Sequence, residues 1–329
     1  MIRKIIILNI VIVLGTIHLC AQNDLQISQY MFTKLLYNPA IAGAGSYFEN
    51  KTKVKSIWQS YSTGKPGTLT NIYSSALIRK HQVGIDGSPF TQALNIDLSL
   101  SKLGGFGLSF YNDAIGIENY LIAKCSYAYI LPIDKDIRLS MGLSVGLLNK
   151  GIRTDDLNFL PELDPVAFSS KSAIKPNFDA GLYLMAENFT LGVSSTHIDR
   201  SLKNSNSLSV PRHYYLFTDY TLAVSENFEI VPALFVKSTS FISQIDLNNT
   251  FVYVNKMWGG ISYRFLKESI VCMAGLYLTK TIRMGYSIDL PVSDKKIRNE
   301  TYGSHEIVIS WIWSKSATAV QHKSPRLFD

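Results

Sequence analysis

The chain has 329 residues, of which 47% are hydrophobic, 12% aromatic and only 17% charged, with 32 lysines and arginines against 25 acids. The resulting mild basicity shows no basic cluster interleaved with aromatics, which argues against nucleic acid as a partner. Past the first residues no apolar run approaches the roughly 20 residues that a membrane helix needs, which excludes a helical membrane protein.

Arg3 and Lys4 open the chain, an apolar run from Ile5 to Leu19 follows, and Cys20-Ala21-Gln22 comes next. A charged start, an apolar stretch too short to span comfortably and a small residue at the cut are the parts of an export signal. Residues 1–21 therefore read as a signal peptide cleaved after Ala21. Lipidation at Cys20 is the alternative, against which His18 and Leu19 are poor residues for a lipoprotein box. Residues 22–67 are irregular and read as an N-terminal periplasmic or plug segment. Within it, Gln26–Phe32 and Tyr37-Asn38-Pro39-Ala40 point to short helical or turn pieces stopped at Asn-Pro. Ala42-Gly43-Ala44-Gly45 lacks the flanking strand and helix of a phosphate loop and reads as a plain turn.

From 68 to 313 the hydrophobicity alternates with period two in fourteen runs: 68–79, 90–100, 105–114, 118–132, 135–150, 176–187, 188–197, 212–226, 227–238, 242–255, 256–266, 268–278, 280–290 and 303–313. Strand side chains alternate faces. In the fifth run Ile137, Leu139, Met141, Leu143, Val145 and Leu147 oppose Arg138, Ser140, Gly142, Ser144 and Gly146. In the thirteenth, Ile282, Met284, Tyr286 and Ile288 oppose Arg283, Gly285, Ser287 and Asp289. Apolar against small or polar, with charges on the small side, means lipid outside and a hydrated or plugged lumen inside. The last run aligns Ile307, Ile309, Trp311 and Trp313, an apolar face that ends in aromatics at a water boundary.

Short turns at Glu187-Asn188, Glu226-Asn227, Asn255-Lys256 and Thr279-Lys280 alternate with longer connections at Lys80–Pro89, Gly151–Lys175, Ile198–Pro211 and Pro291–Tyr302. That alternation fits short periplasmic turns and longer outer loops; Lys267-Glu268 is a short connection on the outer side. Pro232 lies inside the ninth run and predicts a bulge, since a closed barrel has no free edge to excuse a missing N–H. The expected fold is all-β: a transmembrane antiparallel barrel of about 14 strands over 68–313, with residues 314–329 as a periplasmic tail. An exported soluble β-sandwich is the bland alternative.

The predicted lumen charges Asp97, Lys124, Arg138, Asp179, Asp246, Arg264, Arg283 and Asp289 are of mixed sign. They fit a selective pore, or a wall and plug in which charges find one another, and the second is preferred. For catalysis, the spacing of Ser194 and His197 puts them on opposite faces, so they do not form a dyad. No HExxH, CxxC or clustered ligand set appears, so neither metal nor cofactor is expected. Cys125 and Cys272 sit in separate runs and read as small apolar side chains. As a plug or partner-binding surface the sequence offers Ser28, Gln29, Tyr30, Met31, Phe32, Asn38, Pro39, Ala40 and Gly43. As lumen or loop residues it offers Asp86, Asn112, Asp113, Arg212, His213, Asp246, Arg264, Arg283, His305 and Glu306, because loops held by a rigid barrel are where binding usually sits.

Short motifs recur from end to end. Near the start stand Ser28-Gln29-Tyr30-Met31-Phe32, Asn38-Pro39-Ala40 and Ala42-Gly43, followed by Val83-Gly84-Ile85-Asp86-Gly87-Ser88-Pro89. Gly105-Phe106-Gly107-Leu108, Asn112-Asp113, Gly116, Tyr127 and Tyr129 come next. Asp164-Pro165, Pro176-Asn177-Phe178, Arg212-His213-Tyr214-Tyr215 and Gly303-Ser304-His305-Glu306-Ile307 complete the set. Their order and spacing carry more than any one short motif. By them the chain resembles the PorP/SprF family of type IX secretion system membrane proteins, whose V-G-F-x-G-A-P turn is similar to the stretch from Val83 to Pro89. Three departures stand out: Arg79-Lys80-His81-Gln82 lacks the tryptophan of the family's Arg-x-Gln-Trp, Ser46–Gly67 is an insertion, and Ser324-Pro325-Arg326 has Ser in place of Cys. The resemblance implies a non-enzymatic outer-membrane barrel that serves type IX secretion and, in some members, gliding motility. Its implied partners are outer-membrane lipid, secreted or surface-anchored cargo with a C-terminal sorting domain, and periplasmic type IX components and lipoproteins. A passive or substrate-specific channel is the competing expectation, and a barrel enzyme the third.

Overall fold

The computed structural model describes residues 25–44, 69–100, 102–134, 136–152, 171–199, 210–239, 243–253, 256–265, 268–279, 281–292 and 300–314. The expected signal peptide, the insertion at 46–67 and the tail beyond Ser314 lie outside them. Three 3₁₀ turns, Tyr30–Phe32, Lys34–Leu36 and Pro39–Ile41, come first. The strands are β1 (Leu69–Lys80), β2 (Phe90–Leu100), β3 (Gly104–Ile115), β4 (Glu118–Pro132), β5 (Arg138–Ile152), β6 (Lys171–Met185), β7 (Phe189–Thr196) and β8 (His213–Tyr220). They continue as β9 (Leu222–Ser225), β10 (Phe228–Ser238), β11 (Ser243–Tyr253), β12 (Met257–Arg264), β13 (Ser269–Tyr277), β14 (Ile282–Pro291) and β15 (Ser304–Ser314). β8 and β9 are two stretches of one barrel strand, both paired with β10. All pairings are antiparallel, and β1 pairs with β15, so the sheet closes into a ring of fourteen strands.

The two faces separate as the alternation requires. Met141, Leu143, Val145 and Leu147 of β5 are exposed, whereas Ser140, Gly142 and Ser144 are buried. In β15, Ile309, Trp311 and Trp313 face outward while Glu306, Val308, Ser310 and Ile312 face in. An outward face so rich in large apolar side chains is stable only against acyl chains, and the protein resides in the outer membrane. Cys125 and Cys272 are free thiols on that outward face.

Two prolines test the closed ring. The expected bulge at Pro232 is absent: β10 and β11 stay in register through Pro232 and Asn249. Ile245 turns its carbonyl to Phe265, so Asn249, four residues on, also directs its amide edge toward β12. The edge of Pro232 that lacks an N–H therefore faces β8–β9, and that strand is itself interrupted at Thr221. The irregularity sits in the neighbour, with a register shift between Phe228 and Glu229. Pro176 lies inside β6, opposite Leu147, where the sequence reading began the strand. Phe178 gives its carbonyl to Ile198, so Pro176 also turns its amide edge to the β7 side, beyond the end of β7. Neither proline removes a ladder hydrogen bond, which is the condition for proline within a sheet.

The end that bears β2–β3, β4–β5, β6–β7, β9–β10, β11–β12 and β13–β14 has short turns and receives both ends of the barrel. By the architecture of such barrels it is the periplasmic end. At the opposite end two connections are stitched together: Val83 N donates to Gly303 O at 2.8 Å, and Tyr302 N to Val83 O at 2.8 Å. Gly303 takes φ +85° there, a conformation glycine adopts without strain.

Candidate functional site: the filled lumen and its outer mouth

A barrel of eight strands is filled by its own side chains, and diameter grows with strand number. A ring of fourteen needs water or polypeptide inside. Here residues 25–44 lie in the lumen, and Leu25, Tyr30, Phe32, Leu36, Tyr37, Asn38 and Ala40 are all buried. The segment is a run of single 3₁₀ turns. Pro39 starts the third, and the Asn38 side chain caps it by accepting from Ala40 N at 2.9 Å. The same Asn38 amide donates to Leu182 O of β6 at 2.9 Å, so one residue both stops the turn and fixes it to the wall.

Polar anchors tie the segment to strands all round the ring. Lys34 Nζ lies 2.7 Å from Asp219 of β8 and sits over the Phe217 ring. Lys124 Nζ donates to Leu36 O and to Asp179, both at 2.8 Å. Ser194 Oγ donates to Tyr37 O at 2.7 Å, Tyr73 OH to Phe32 O at 2.9 Å, and Gly43 N to Asp97. Aromatic contacts fill the spaces between: Tyr30 stacks on Phe235 with centroids 4.6 Å apart, and Phe32 meets Trp258 at 5.2 Å.

The densest group joins Ser28 and Gln29 to β1, β12, β14 and β15. Glu306 accepts from Ser28 N at 2.8 Å and from Gln29 N at 2.7 Å. It also pairs with Arg79 at 3.1 Å. Arg79 reaches Asp289 at 2.9 Å and Ser28 Oγ at 2.5 Å. Arg264 bridges Asp289 and Asp246. Among the described residues, the buried lysines and arginines number seven and the buried aspartates and glutamates also seven. Burial of charge is tolerable only where partners compensate it. A balanced set in which Lys34, Arg79, Lys124 and Arg264 pair with Asp219, Asp289, Glu306, Asp179 and Asp246 is the electrostatics of a filled interior rather than of an ion-selective pore.

Glycines make room for the segment. A Cβ on Gly142 would overlap the backbone of Pro39 and Ala40, and one on Gly105 the backbone of Ala42 and Gly43. On Gly181 it would strike the Asn38 side chain, and on Gly285 the Gln29 side chain. By sequence Gly142 and Gly285 belong to the small side of an alternation; the structure shows that these glycines make room for close approach of the lumen segment.

The structure gathers Ser28, Gln29, Tyr30, Met31, Phe32, Asn38, Pro39, Ala40 and Gly43 in the lumen, together with Asp113, His213, Asp246, Arg264, Arg283 and Glu306. Two residues offered for the lumen or loops do not belong there. Asn112 lies on the outward face, its amide 3.5 Å from Gln92 Oε1. His305 shares its face with Ile307 and contacts Tyr286 OH and Tyr302 O. Period two alone assigns both, since Asn112 is two residues from Phe110 and His305 two from Ile307. Asp86 is exposed in the β1–β2 connection, Arg212 donates to Ile198 O at the outer mouth, and Arg138 is half-buried at the start of β5. Ser194 and His197 also depart from expectation, because both point inward. β7 ends at Thr196, and His197 takes φ +56°, which turns its ring back toward Asn177. They nevertheless serve different partners, Tyr37 O for Ser194 and Asn177 with Tyr120 for His197. Sequence reasoning missed Arg79, Lys34, Asp219 and Lys237. Asp219 was accessible by parity with His213, Tyr215 and Phe217, whereas nothing local marks Lys34.

Among solved structures the fold is similar to the toluene transporter TbuX of Ralstonia pickettii, with 11% identity, TM-score 0.46 and 85% of this chain and 92% of that one covered. It is also similar to the CymD monoaromatic hydrocarbon channel, with 10% identity, TM-score 0.45 and 82% and 92% covered. A third is the outer membrane protein Omp33 of Acinetobacter baumannii, with 10% identity, TM-score 0.44 and 76% and 100% covered. No curated protein sequence matches significantly. The model of the PorP/SprF type IX secretion system membrane proteins matches residues 19–77 and 66–311, which takes in the lumen segment, the stitched outer turns and the closing strand. The chain belongs to the PorP/SprF family of type IX secretion system membrane proteins.

Proposed function

We propose that this barrel acts by binding, not catalysis: it holds or receives secreted surface cargo at its extracellular end and contacts periplasmic type IX components at the other. The observation that carries this reading is the filled lumen. Residues 25–44 occupy the interior with their polar groups anchored to the wall, so a scaffold with two faces fits better than a conduit. The outer face offers a rigid surface in the stitched Val83–Ser88 and Tyr302–Gly303 connections, with Asp86 and Tyr302 exposed. Binding surfaces are commonly loops positioned by a rigid scaffold. The cargo expected from the family is an adhesin-type protein with a C-terminal sorting domain, and the inward-facing partners are periplasmic components and lipoproteins of the same system.

The test is surface display. Deletion of the gene is expected to abolish display of the cognate cargo on intact cells and leave its synthesis unchanged, read by protease accessibility and immunoblotting. Unchanged display would remove the secretion and anchoring role.

A further inference from the structure

We propose that the outward face of β1–β3, just below the extracellular rim, is a binding site for one lipid of the outer leaflet. Its acyl chain lies in a groove over β1, and its anionic phosphate headgroup meets Lys80 and His305. The site lies outside the lumen and does not depend on the function proposed above.

The strand register builds the groove. On the outward face Ala76 pairs with Ile309 of β15 and Leu94 of β2, and Leu94 in turn with Phe110 of β3. The three large side chains are exposed, and the short Ala76 leaves a depression of about 390 Å3 among them. Four residues at about 3.3 Å each separate Ala76 from Lys80 at the outer end of β1. The groove therefore sits within the depth of the outer leaflet's hydrocarbon, close beneath its headgroups. An acyl chain fills such a depression without needing a polar partner.

The rim supplies the headgroup contacts. Asn112 and His305, the two residues that face outward against expectation, stand on either side of the groove with Gln92 and Lys80 between them. Register places His305 opposite Lys80, and Gln92 opposite both Ile78 and Asn112. Lys80 is exposed and gives one of the three donors of its ammonium to Ser88 O at 2.8 Å. His305 meets Tyr286 OH and Tyr302 O. Gln92 and Asn112, one step below Lys80, place side-chain amides at the depth of lipid ester oxygens. The two outward rows run from Ile288 and Tyr286 of β14 to Asn119 and Leu121 of β4, and none of the described residues in them is acidic. Bulk hydrocarbon accounts for the groove but not for an ammonium, an imidazole and two amides directly above it. A lysine stem lies along apolar surface while its head reaches the interface, and a basic head there attracts anionic lipid. A phosphate held by Lys80 would also brace the β1–β2 connection, since the same ammonium holds Ser88 O.

Native mass spectrometry of the full-length chain tests the site, in detergent with equimolar phosphatidylglycerol and phosphatidylcholine of the same acyl chains. The two probes share the phosphate and differ in net charge. Heat-modified electrophoretic mobility is measured first, so that only folded barrels are compared. The first lipid bound is expected to be phosphatidylglycerol by about fivefold, the factor that one basic side chain contributes near anionic headgroups. Lys80→Gln removes the charge, and Ala76→Phe fills the groove from the lipid side; each should bring the ratio close to one. Lys256→Gln, exposed at the opposite end of the barrel, should leave the ratio unchanged. A ratio near one for the wild type, or a preference that survives either Lys80→Gln or Ala76→Phe, overturns the site and leaves only annular lipid. Loss of the preference in Lys256→Gln also overturns it, because the selectivity would then belong to the barrel's overall charge. A dimer of the chain that Ala76→Phe abolishes would assign the groove to a second copy instead.

Discussion

Replacement of Gly142 by leucine is expected to drive the N-terminal segment out of the lumen while the barrel remains folded. The argument is steric. A Cβ at this position falls within contact of Pro39 C and of Ala40 N and Cα, all backbone atoms. Backbone capped by the Asn38 side chain, which is itself bonded to Leu182 O, cannot swing aside as the tip of a flexible side chain would. Overpacking of a well-filled interior costs about 1–3 kcal/mol, occasionally more, and an isobutyl group adds further atoms in the same direction. The strand itself should tolerate leucine, which has no unusual demand on an extended backbone. Gly259→Leu is the control, because there the nearest atom to a Cβ is Met273 O at 3.4 Å, an ordinary contact. In detergent, the wild-type segment should resist protease; Gly142→Leu should be cut within residues 25–44 and Gly259→Leu should not. Equal resistance of Gly142→Leu and wild type would mean that the segment does not lie against β5.

Glu306→Ala is expected to be the most destabilising single substitution in the outer half of the lumen. Glu306 is 0% exposed and serves three donors: Ser28 N, Gln29 N and Arg79. Its removal strands two backbone N–H groups and takes from Arg79 one of its two carboxylates, leaving it Asp289, Ser28 and His81. Loss of one partner of a buried pair costs about 3–5 kcal/mol, mostly from the uncompensated charge that remains. The double variant Arg79→Ala/Glu306→Ala should therefore lose less than the sum of the two singles, the sign of direct coupling. Unfolding monitored by heat-modified electrophoretic mobility would give both numbers. A Glu306→Ala barrel as stable as wild type, or strict additivity with Arg79→Ala, would contradict the latch.

The barrel was largely legible because bilayer and lumen impose opposite chemistries on alternate residues, and β5, β14 and β15 carry that contrast without interruption. Where the reading failed, a different constraint governed. β6 begins at Lys171 rather than at Pro176, since the edge of Pro176 that lacks an N–H points past the end of β7. Pro232 needs no bulge because the break falls in β8–β9. His305 and Asn112 were placed by motif rather than by parity, and parity decides which face a strand residue takes. The lumen segment was anticipated as a periplasmic or plug element, yet its anchors were not. Lys34 to Asp219 and Glu306 to Ser28 join residues 185 and 278 positions apart, and no local pattern encodes such a pairing. The glycines at 105, 142 and 181 were visible, but a glycine facing inward looks the same whether it borders water or another backbone.

Conductance across a planar bilayer tests the filled lumen most directly. Purified full-length barrel is expected to be electrically silent at low voltage, and the same chain without residues 25–44 to conduct steadily. A steady ohmic conductance from the full-length protein, equal to that of the deletion, would contradict a lumen closed by its own polypeptide.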